Sequence, residues 1–168
     1  CRAAYCELRR IGSVRHLLTP DATKTLVCAF VLSRLDYCNS LLCGCPQSLI
    51  EKLQKVQNQA ARLVFKARKR DHITPLLCSL HWLPISFRIQ YKTLCLCYSA
   101  FSGCSPAYMS ELLHGYVPSR QLRSSADTRV LRIPYTKTKS FGQRTFSYQA
   151  FLLPHQLGKF LKHSTCLT

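Results

Sequence analysis

Acidic residues are scarce in this 168-residue chain: seven Asp and Glu stand against 24 Lys and Arg, a formal net charge of +17. Phosphoryl-transfer chemistry on two Mg²⁺ ions requires clustered carboxylates. The seven acids include no pair that is close in sequence: Glu7, Asp21, Asp36, Glu51, Asp71, Glu111 and Asp127. Glycine-rich phosphate loops, Gly-x-Ser-x-Gly elbows and His-Glu-x-x-His motifs are also absent. We therefore expect no catalytic residues, no cofactor and no enzyme activity in this chain.

Long apolar runs are missing as well. Stretches such as Val27–Leu32 fall far short of the roughly 18 residues that span a bilayer. The N-terminus has neither an initiator Met nor the apolar centre of a signal peptide. We expect an intracellular protein, nuclear or cytoplasmic, that is not secreted, and we expect a chain beginning at Cys1 to be a fragment of a longer one.

The chain is nevertheless apolar enough to fold, because 47% of its residues are hydrophobic. A cationic surplus of this size on a folded chain is self-repulsive unless an anion offsets it. The composition thus predicts a polyanionic partner, with nucleic acid first and an acidic membrane face second.

Eleven cysteines are present, an odd number at irregular spacing, which argues against a disulfide scaffold. We expect reduced, mostly buried thiols, because many lie within apolar helical patterns: Cys28, Cys38, Cys78, Cys95 and Cys97.

Zinc is the alternative role for these thiols, at Cys43-x-Cys45, Cys95-x-Cys97 or Cys78-x-x-His81. Two cysteines at Cys-x-Cys spacing on a helix face different directions, and no Cys-x-x-Cys pair exists. Buried thiols are therefore favoured over a metal site. The histidines near helix ends favour capping or packing: His72, His81 and His114.

Helical signals dominate the first two thirds of the chain. Thr19-Pro20-Asp21 predicts a helix start, and the helix should run to Gly44. Its apolar stripe is predicted at Ala22, Leu26, Ala29, Phe30, Ser33, Tyr37 and Leu41. Pro46 and a capping box over Ser48–Glu51 predict a second helix, which should pack on the first as an antiparallel hairpin. Its stripe is predicted at Leu49, Leu53, Val56, Ala60, Leu63 and Val64.

Shorter elements should follow. Thr74-Pro75 predicts a helix to about His81, and Pro84 predicts one that reaches Phe101 and is the most buried of the chain. A short helix is expected at Ala107–His114, ended by Gly115, then a strand at Arg129–Ile133 and a strand or short helix at Thr145–Leu153. We predict a helical region over 1–117 and a basic, less regular tail over 118–168.

Half of the cations fall in two stretches. The first lies at the end of the second helix, where the spacing of the cations suits a phosphate backbone: Arg62, Lys66, Arg68, Lys69 and Arg70. The second contains Arg120, Arg123, Arg129, Arg132, Lys137, Lys139 and Arg144, interleaved with aromatic residues. A solvated helix terminus is the alternative for the first stretch, but the overall charge favours backbone contact.

Several runs resemble the C-terminal part of LINE-type non-LTR retrotransposon reverse transcriptases, in the jockey and chicken-repeat branch. These runs, in the order found in that family, are SRLDYCNSLL at 33–42, LQKVQNQAAR at 53–62, HITP at 72–75, LHWLPI at 80–85, PAY at 106–108, PSRQLRSS at 118–125 and FGQRTFS at 141–147. The likeness spans roughly residues 8 to 162.

The resemblance implies the region after the catalytic palm of a polyprotein with an N-terminal endonuclease and a central reverse transcriptase. The palm's Tyr-x-Asp-Asp motif has no counterpart in this chain. Where the family has Leu-Trp-Asn-x-Leu-Pro, this chain reads FLLPHQL at 151–157, and the closing helix shrinks to KFLK at 159–162. These departures favour a decayed or frameshifted end.

We thus expect a mainly α fold: a helical hairpin and further short helices, thumb-like, then a basic tail with one or two short strands. The chain would bind template RNA or RNA:DNA duplex, and its other partner would be the missing N-terminal polymerase region; a membrane is not expected. The alternatives are a packing module that supports the polymerase core without touching nucleic acid, and a non-functional remnant.

Overall fold

The structure, a computed structural model, describes residues 1–115, 131–138 and 141–152. It confirms a mainly α fold. The helices are α1 (Arg2–Val14), α2 (Pro20–Val27), α3 (Ser33–Asp36), α4 (Gln47–Phe65), α5 (Ile73–Leu80), α6 (Ile85–Phe101) and α7 (Ala107–Ser110). In these described ranges no helix has the length and apolarity needed to cross a membrane.

The chain divides into two compact units, residues 1–89 and 90–168, and the division falls within α6. In the first unit α4 packs against α1, α2 and α5. The boundary predicted after residue 117 lies outside the described residues.

The predicted start of α2 is confirmed in detail. Thr19 is the N-cap, and its Oγ1 accepts a hydrogen bond from the amide of Ala22 at 3.2 Å. Pro20 occupies the first helical position, and Asp21 lies in the first turn. Proline lacks an amide donor, which the first helical position does not need. The carboxylate of Asp21 lies near the positive end of the helix dipole.

The predicted end of this helix at Gly44 is wrong. A π-helical turn, Cys28–Leu32, joins α2 to α3, and the helix stops at Asp36 because Tyr37 is extended and Cys38 is left-handed (φ 49°). A 3₁₀ turn, Asn39–Leu42, then leads to Gly44, which does have a positive φ of 72°.

The predicted apolar stripe of this helix is also displaced by one position. Ala29, Phe30, Ser33, Tyr37 and Leu41 are exposed, and Ala22 and Leu26 are half-buried. The core instead receives a neighbouring row at strict four-residue spacing: Thr23, Val27, Val31 and Leu35. Such a row drifts around an α-helix of 3.6 residues per turn, and the wider π turn offsets this drift.

The second helix, α4, begins without the predicted capping box. Pro46 is the N-cap and no side chain caps the helix, so Ser48 already lies inside it. The buried residues include the predicted Val56, Ala60 and Val64, together with Ile50, Gln57 and Ala61, whereas Leu49 is exposed and Leu53 and Leu63 are half-buried.

A buried amide network fixes α4 to the connection between α5 and α6. Gln57 is fully buried, and its Nε2 donates to the carbonyl of Leu83 at 2.8 Å. Gln54 Oε1 accepts from the amide of Ile85 at 2.8 Å, while Gln54 Nε2 donates to Gln57 Oε1 at 2.9 Å and to Asn58 Oδ1 at 2.8 Å. The two glutamines thus satisfy backbone groups on both sides of Pro84.

The later helices follow their predicted bounds closely, with differences in burial. α5 begins one residue before Thr74, and α6 spans Ile85–Phe101 as predicted. Only one face of α6 is buried (Ile85, Ile89, Thr93, Cys97 and Ala100), while Tyr91 and Tyr98 are exposed, so α6 is not buried all round.

In the second unit, α7 ends at Ser110 rather than at the predicted His114. Leu131 forms an isolated antiparallel bridge with Gly115, while Arg129 and Val130 of the predicted strand lie outside the described residues. Residues 146–152 are helical, which selects the helical alternative for that segment. Buried Cys97, Leu131 and Ala150 form a small core with Leu113, Phe146 and Phe151 around it.

The amide network yields a stability prediction. Gln57→Leu keeps most of the side-chain volume but removes the donor of the Leu83 carbonyl. We expect it to lower the free energy of unfolding by about 1–3 kcal/mol, because the buried side chain loses its hydrogen bonds to Leu83 and Gln54. Urea denaturation measures this loss. The matched control is Gln59→Leu, at an exposed position of the same helix, with an expected change within about 0.5 kcal/mol; equal losses would contradict the network's role.

Candidate nucleic-acid interface

The first unit contains a groove of about 640 Å³ whose charged lining residues are all cations. We call it the basic groove. It is lined by residues of α1, of α4 and of the segments that follow these helices: Tyr5, Leu8, Arg15, Lys55, Asn58, Gln59, Arg62, Leu63, Lys66, Ala67 and Lys69.

Helical spacing places the α4 residues on one side of this groove. Lys55 and Arg62 are seven residues apart, two turns of helix, with Asn58 and Gln59 between them. This polar row was present in the sequence, but Lys55 lies outside the predicted cluster. The spacing of seven from Arg62 was the signal that could have found it.

Beyond Arg62 the cations do not continue along a helix, contrary to our expectation. α4 ends at Phe65, and Lys66 adopts the left-handed conformation with φ 52°. The amide of Ala67 donates to the carbonyl of Arg62 at 3.0 Å, which closes the helix end. Lys66 to Arg70 therefore form an exposed turn, with Ala67 half-buried within it.

Asp71 holds this turn in shape. Its Oδ2 accepts from the amide of Arg68 at 2.6 Å, and its own amide donates to the carbonyl of Arg68 at 3.2 Å. Its carbonyl accepts from Arg62 Nη2 at 3.3 Å. Arg62 Nε is a buried donor with no acceptor in the described part of the chain. In the described part of the chain, Nη2 of Arg62 thus has an acceptor, whereas Nε has none.

Arg15 is a buried cation that sequence reasoning missed. Only 7% of its surface is exposed, and its guanidinium donates to three carbonyls: Nε to Leu63 at 3.0 Å, Nη2 to Val64 at 2.8 Å and Nη1 to Leu18 at 2.8 Å. Leu63 and Val64 belong to the last turn of α4, whose carbonyls lack partners within the helix. Arg15 satisfies two of these carbonyls and complements the negative end of the helix dipole.

The described carboxylates do little to neutralise the basic groove. Glu7 pairs with Arg10 at 3.4 Å and with Arg34 at 3.3 Å, and Asp36 pairs with Arg88. None of the ion pairs found over 1–115, 131–138 and 141–152 includes the lysines of the groove. The positive potential of Lys55, Lys66 and Lys69 is therefore directed to solvent.

The other predicted contact residues lie elsewhere. Arg68 and Arg70 are exposed on the same turn as Lys66 and Lys69 but do not line the groove. Lys137 and Arg144 are exposed residues of the second unit. Arg120, Arg123 and Lys139 lie outside the described residues.

The expectation of mostly buried cysteines is wrong. Of the five thiols placed in apolar patterns only Cys97 is buried; Cys28 is half-buried, and Cys38, Cys78 and Cys95 are exposed. No disulfide joins any cysteine of the described ranges, and the same residues include no group of three His, Cys, Asp or Glu that could hold a metal ion.

Burial raises the pKa of the half-buried Cys28 thiol, and nearby Lys24 and Arg88 only partly offset this effect.

The chain matches no protein-family model, no curated protein and no solved structure.

The contacts of Arg15 generate a second stability prediction. Arg15→Met keeps the aliphatic length but leaves the carbonyls of Leu63 and Val64 without donors, so we expect the free energy of unfolding to fall by about 2–3 kcal/mol. Chemical denaturation of the purified variant provides the value. Arg9→Met, at an exposed position of α1, is the control and should change it by less than about 0.5 kcal/mol. A stability for Arg15→Met as high as that of the control would refute the proposed closure of α4.

Proposed function

We propose that this chain binds template RNA or RNA:DNA duplex through the basic groove, as a non-catalytic part of a retrotransposon RNA-directed DNA polymerase. The observation that carries the proposal is the convergence of Lys55, Arg62, Lys66 and Lys69 on one groove that no carboxylate lines. Arg68 and Arg70 extend the positive surface beyond the groove's edge.

Phosphates are the groups that best fit such a surface. Cations held close together repel one another, and a polyanion relieves this repulsion while its condensed counterions are released to solvent. Contacts of this kind position a nucleic acid without reading its sequence. Catalysis would belong to the missing N-terminal polymerase region, and a polymerase of this kind works inside the cell, in the nucleus or cytoplasm.

The runs that resemble the retrotransposon family support the same context. LQKVQNQAAR, at 53–62, supplies the network glutamines, the buried alanines and two cations of the groove. LHWLPI, at 80–85, supplies the buried Trp82 and the backbone groups that the network satisfies. Both runs thus have physical roles in the first unit.

A packing module is the second candidate function, and the second unit offers an observation that favours it. Tyr91, Tyr98 and Phe101 of α6 are exposed by 61%, 72% and 48%. Exposed aromatic side chains close together on one helix are typical of protein contacts. This function predicts no dependence of nucleic-acid affinity on the groove lysines.

The salt dependence of binding tests the proposed function. If Lys55, Arg62, Lys66 and Lys69 each meet a phosphate, raising KCl from 50 to 200 mM should weaken binding to an RNA:DNA hybrid by about 150-fold. The triple variant Lys55→Gln, Lys66→Gln, Lys69→Gln should reduce the magnitude of the slope of log K against log salt by about three. Fluorescence anisotropy of a labelled 16-base-pair hybrid and of its RNA strand measures both quantities.

A charge-matched control separates position from net charge. Arg2→Gln, Arg9→Gln, Lys52→Gln removes three exposed cations that do not line the groove. This control should leave the slope near that of the unmodified chain. Equal slopes for the two triple variants would contradict a specific role of the groove, and a slope near zero for the unmodified chain would favour the packing module.

A further inference from the structure

We propose that the basic groove accommodates one unstacked nucleotide of a single-stranded RNA, with the base against Tyr5 and its phosphates against the groove lysines. This inference rests on the proposed function and narrows it, because it selects single-stranded template over duplex as the ligand of this groove.

The volume of the groove is the first reason. Its volume of about 640 Å³ falls in the range of roughly 300–1,000 Å³ that small-molecule pockets occupy. A duplex keeps its bases stacked inside and presents a convex backbone, so it can touch the cations without filling the space. A nucleotide whose base has left the stack can enter it.

The lining of the groove has an apolar part as well as a charged part. Tyr5 and Leu8 are three residues apart on α1 and therefore share a face, and Leu63 contributes from α4. Tyr5 is half-buried, so its ring is partly held by packing and partly open to a ligand. Proteins recognise single-stranded RNA by stacking its bases on aromatic rings of this kind.

Amide groups lie between the apolar and charged parts. Asn58 Oδ1 accepts from Gln54 Nε2 at 2.8 Å, which orients the Asn58 amide. Its Nδ2 has no acceptor among the described residues, and the neighbouring Gln59 is exposed. A donor beside an aromatic ring suits the oxygen and nitrogen acceptors on the edge of a base.

The cations complete the set of groups that a nucleotide needs. Lys55 lies on α4, two turns before Arg62, while Lys66 and Lys69 lie on the turn beyond the end of the helix. No carboxylate lines the groove between them, so the phosphates of one strand can approach these lysines. A groove for an isolated inorganic anion would have no use for the tyrosine and the amides.

Binding to intact and abasic RNA tests the proposal with the full chain. The probes are a fluorescein-labelled ten-residue oligouridylate and a strand of equal length that lacks its bases, at 50 mM KCl. We expect the unmodified protein to bind the intact strand about tenfold more tightly, the typical contribution of one stacked base. Tyr5→Ala should abolish the difference, and Tyr5→Phe, which keeps the ring, should retain it.

A second measurement on the unmodified protein keeps the test independent of whether Tyr5→Ala folds. Photolysis of a strand that carries 5-iodouridine should crosslink RNA to Tyr5, within the tryptic peptide that spans residues 3–9. Equal affinity for intact and abasic strands, or crosslinks only at other peptides, would overturn the nucleotide site.

The outcomes also distinguish this inference from the proposed function. If both strands bind equally and lose affinity steeply with salt, the groove contacts phosphates but does not hold a base, and only the present inference fails. If neither strand nor the hybrid binds at 50 mM KCl, both fail.

Discussion

The first unit depends on the buried guanidinium of Arg15. Arg15 lies in the segment after α1 and donates to the carbonyls of Leu63 and Val64 at the C-terminal end of α4. It also donates to the carbonyl of Leu18 in its own segment. A buried cation normally requires a carboxylate, but here the negative end of a helix and three carbonyls serve instead. The walls of the basic groove, from α1 and α4, are held together by this contact.

The small number of Asp and Glu residues limits how many Lys and Arg side chains can form ion pairs. Glu7, Asp36 and Asp71 all satisfy groups within the first unit: two of them pair with arginines, and Asp71 shapes the turn after α4. The lysines of the groove receive no such partner in the described part of the chain. Because none of the described ion pairs includes the groove lysines, an external anion can neutralise them, which is the physical basis of the proposed function.

Elements set by short-range signals could be predicted from the sequence. The start of α2 followed from a capping threonine and a proline, and α6 begins after Pro84 and reaches Phe101 as expected. The apolar stripe of the helix that begins at Pro20 was misassigned. Two adjacent rows, one from Ala22 and one from Thr23, both contain apolar residues, and only packing selects between them. The π turn and the early stop at Tyr37 depend on tertiary context in the same way.

Only those residues of the candidate site that are close together in the sequence could be predicted. Charge density along the sequence located Arg62, Lys66 and Lys69, but it also included Arg68 and Arg70, which lie on the same turn and do not line the groove. Arg15 and Tyr5 come from distant sequence, so no local pattern could connect them with α4.

Amide hydrogen exchange in the presence and absence of single-stranded RNA tests the central claim most directly, because it reports where the ligand lies without any substitution. The account predicts slowed exchange in peptides that cover residues 55–71 and the first half of α1, with little change across 20–45. Unchanged exchange over 55–71 at saturating RNA, or protection confined to residues 90–152, would contradict it.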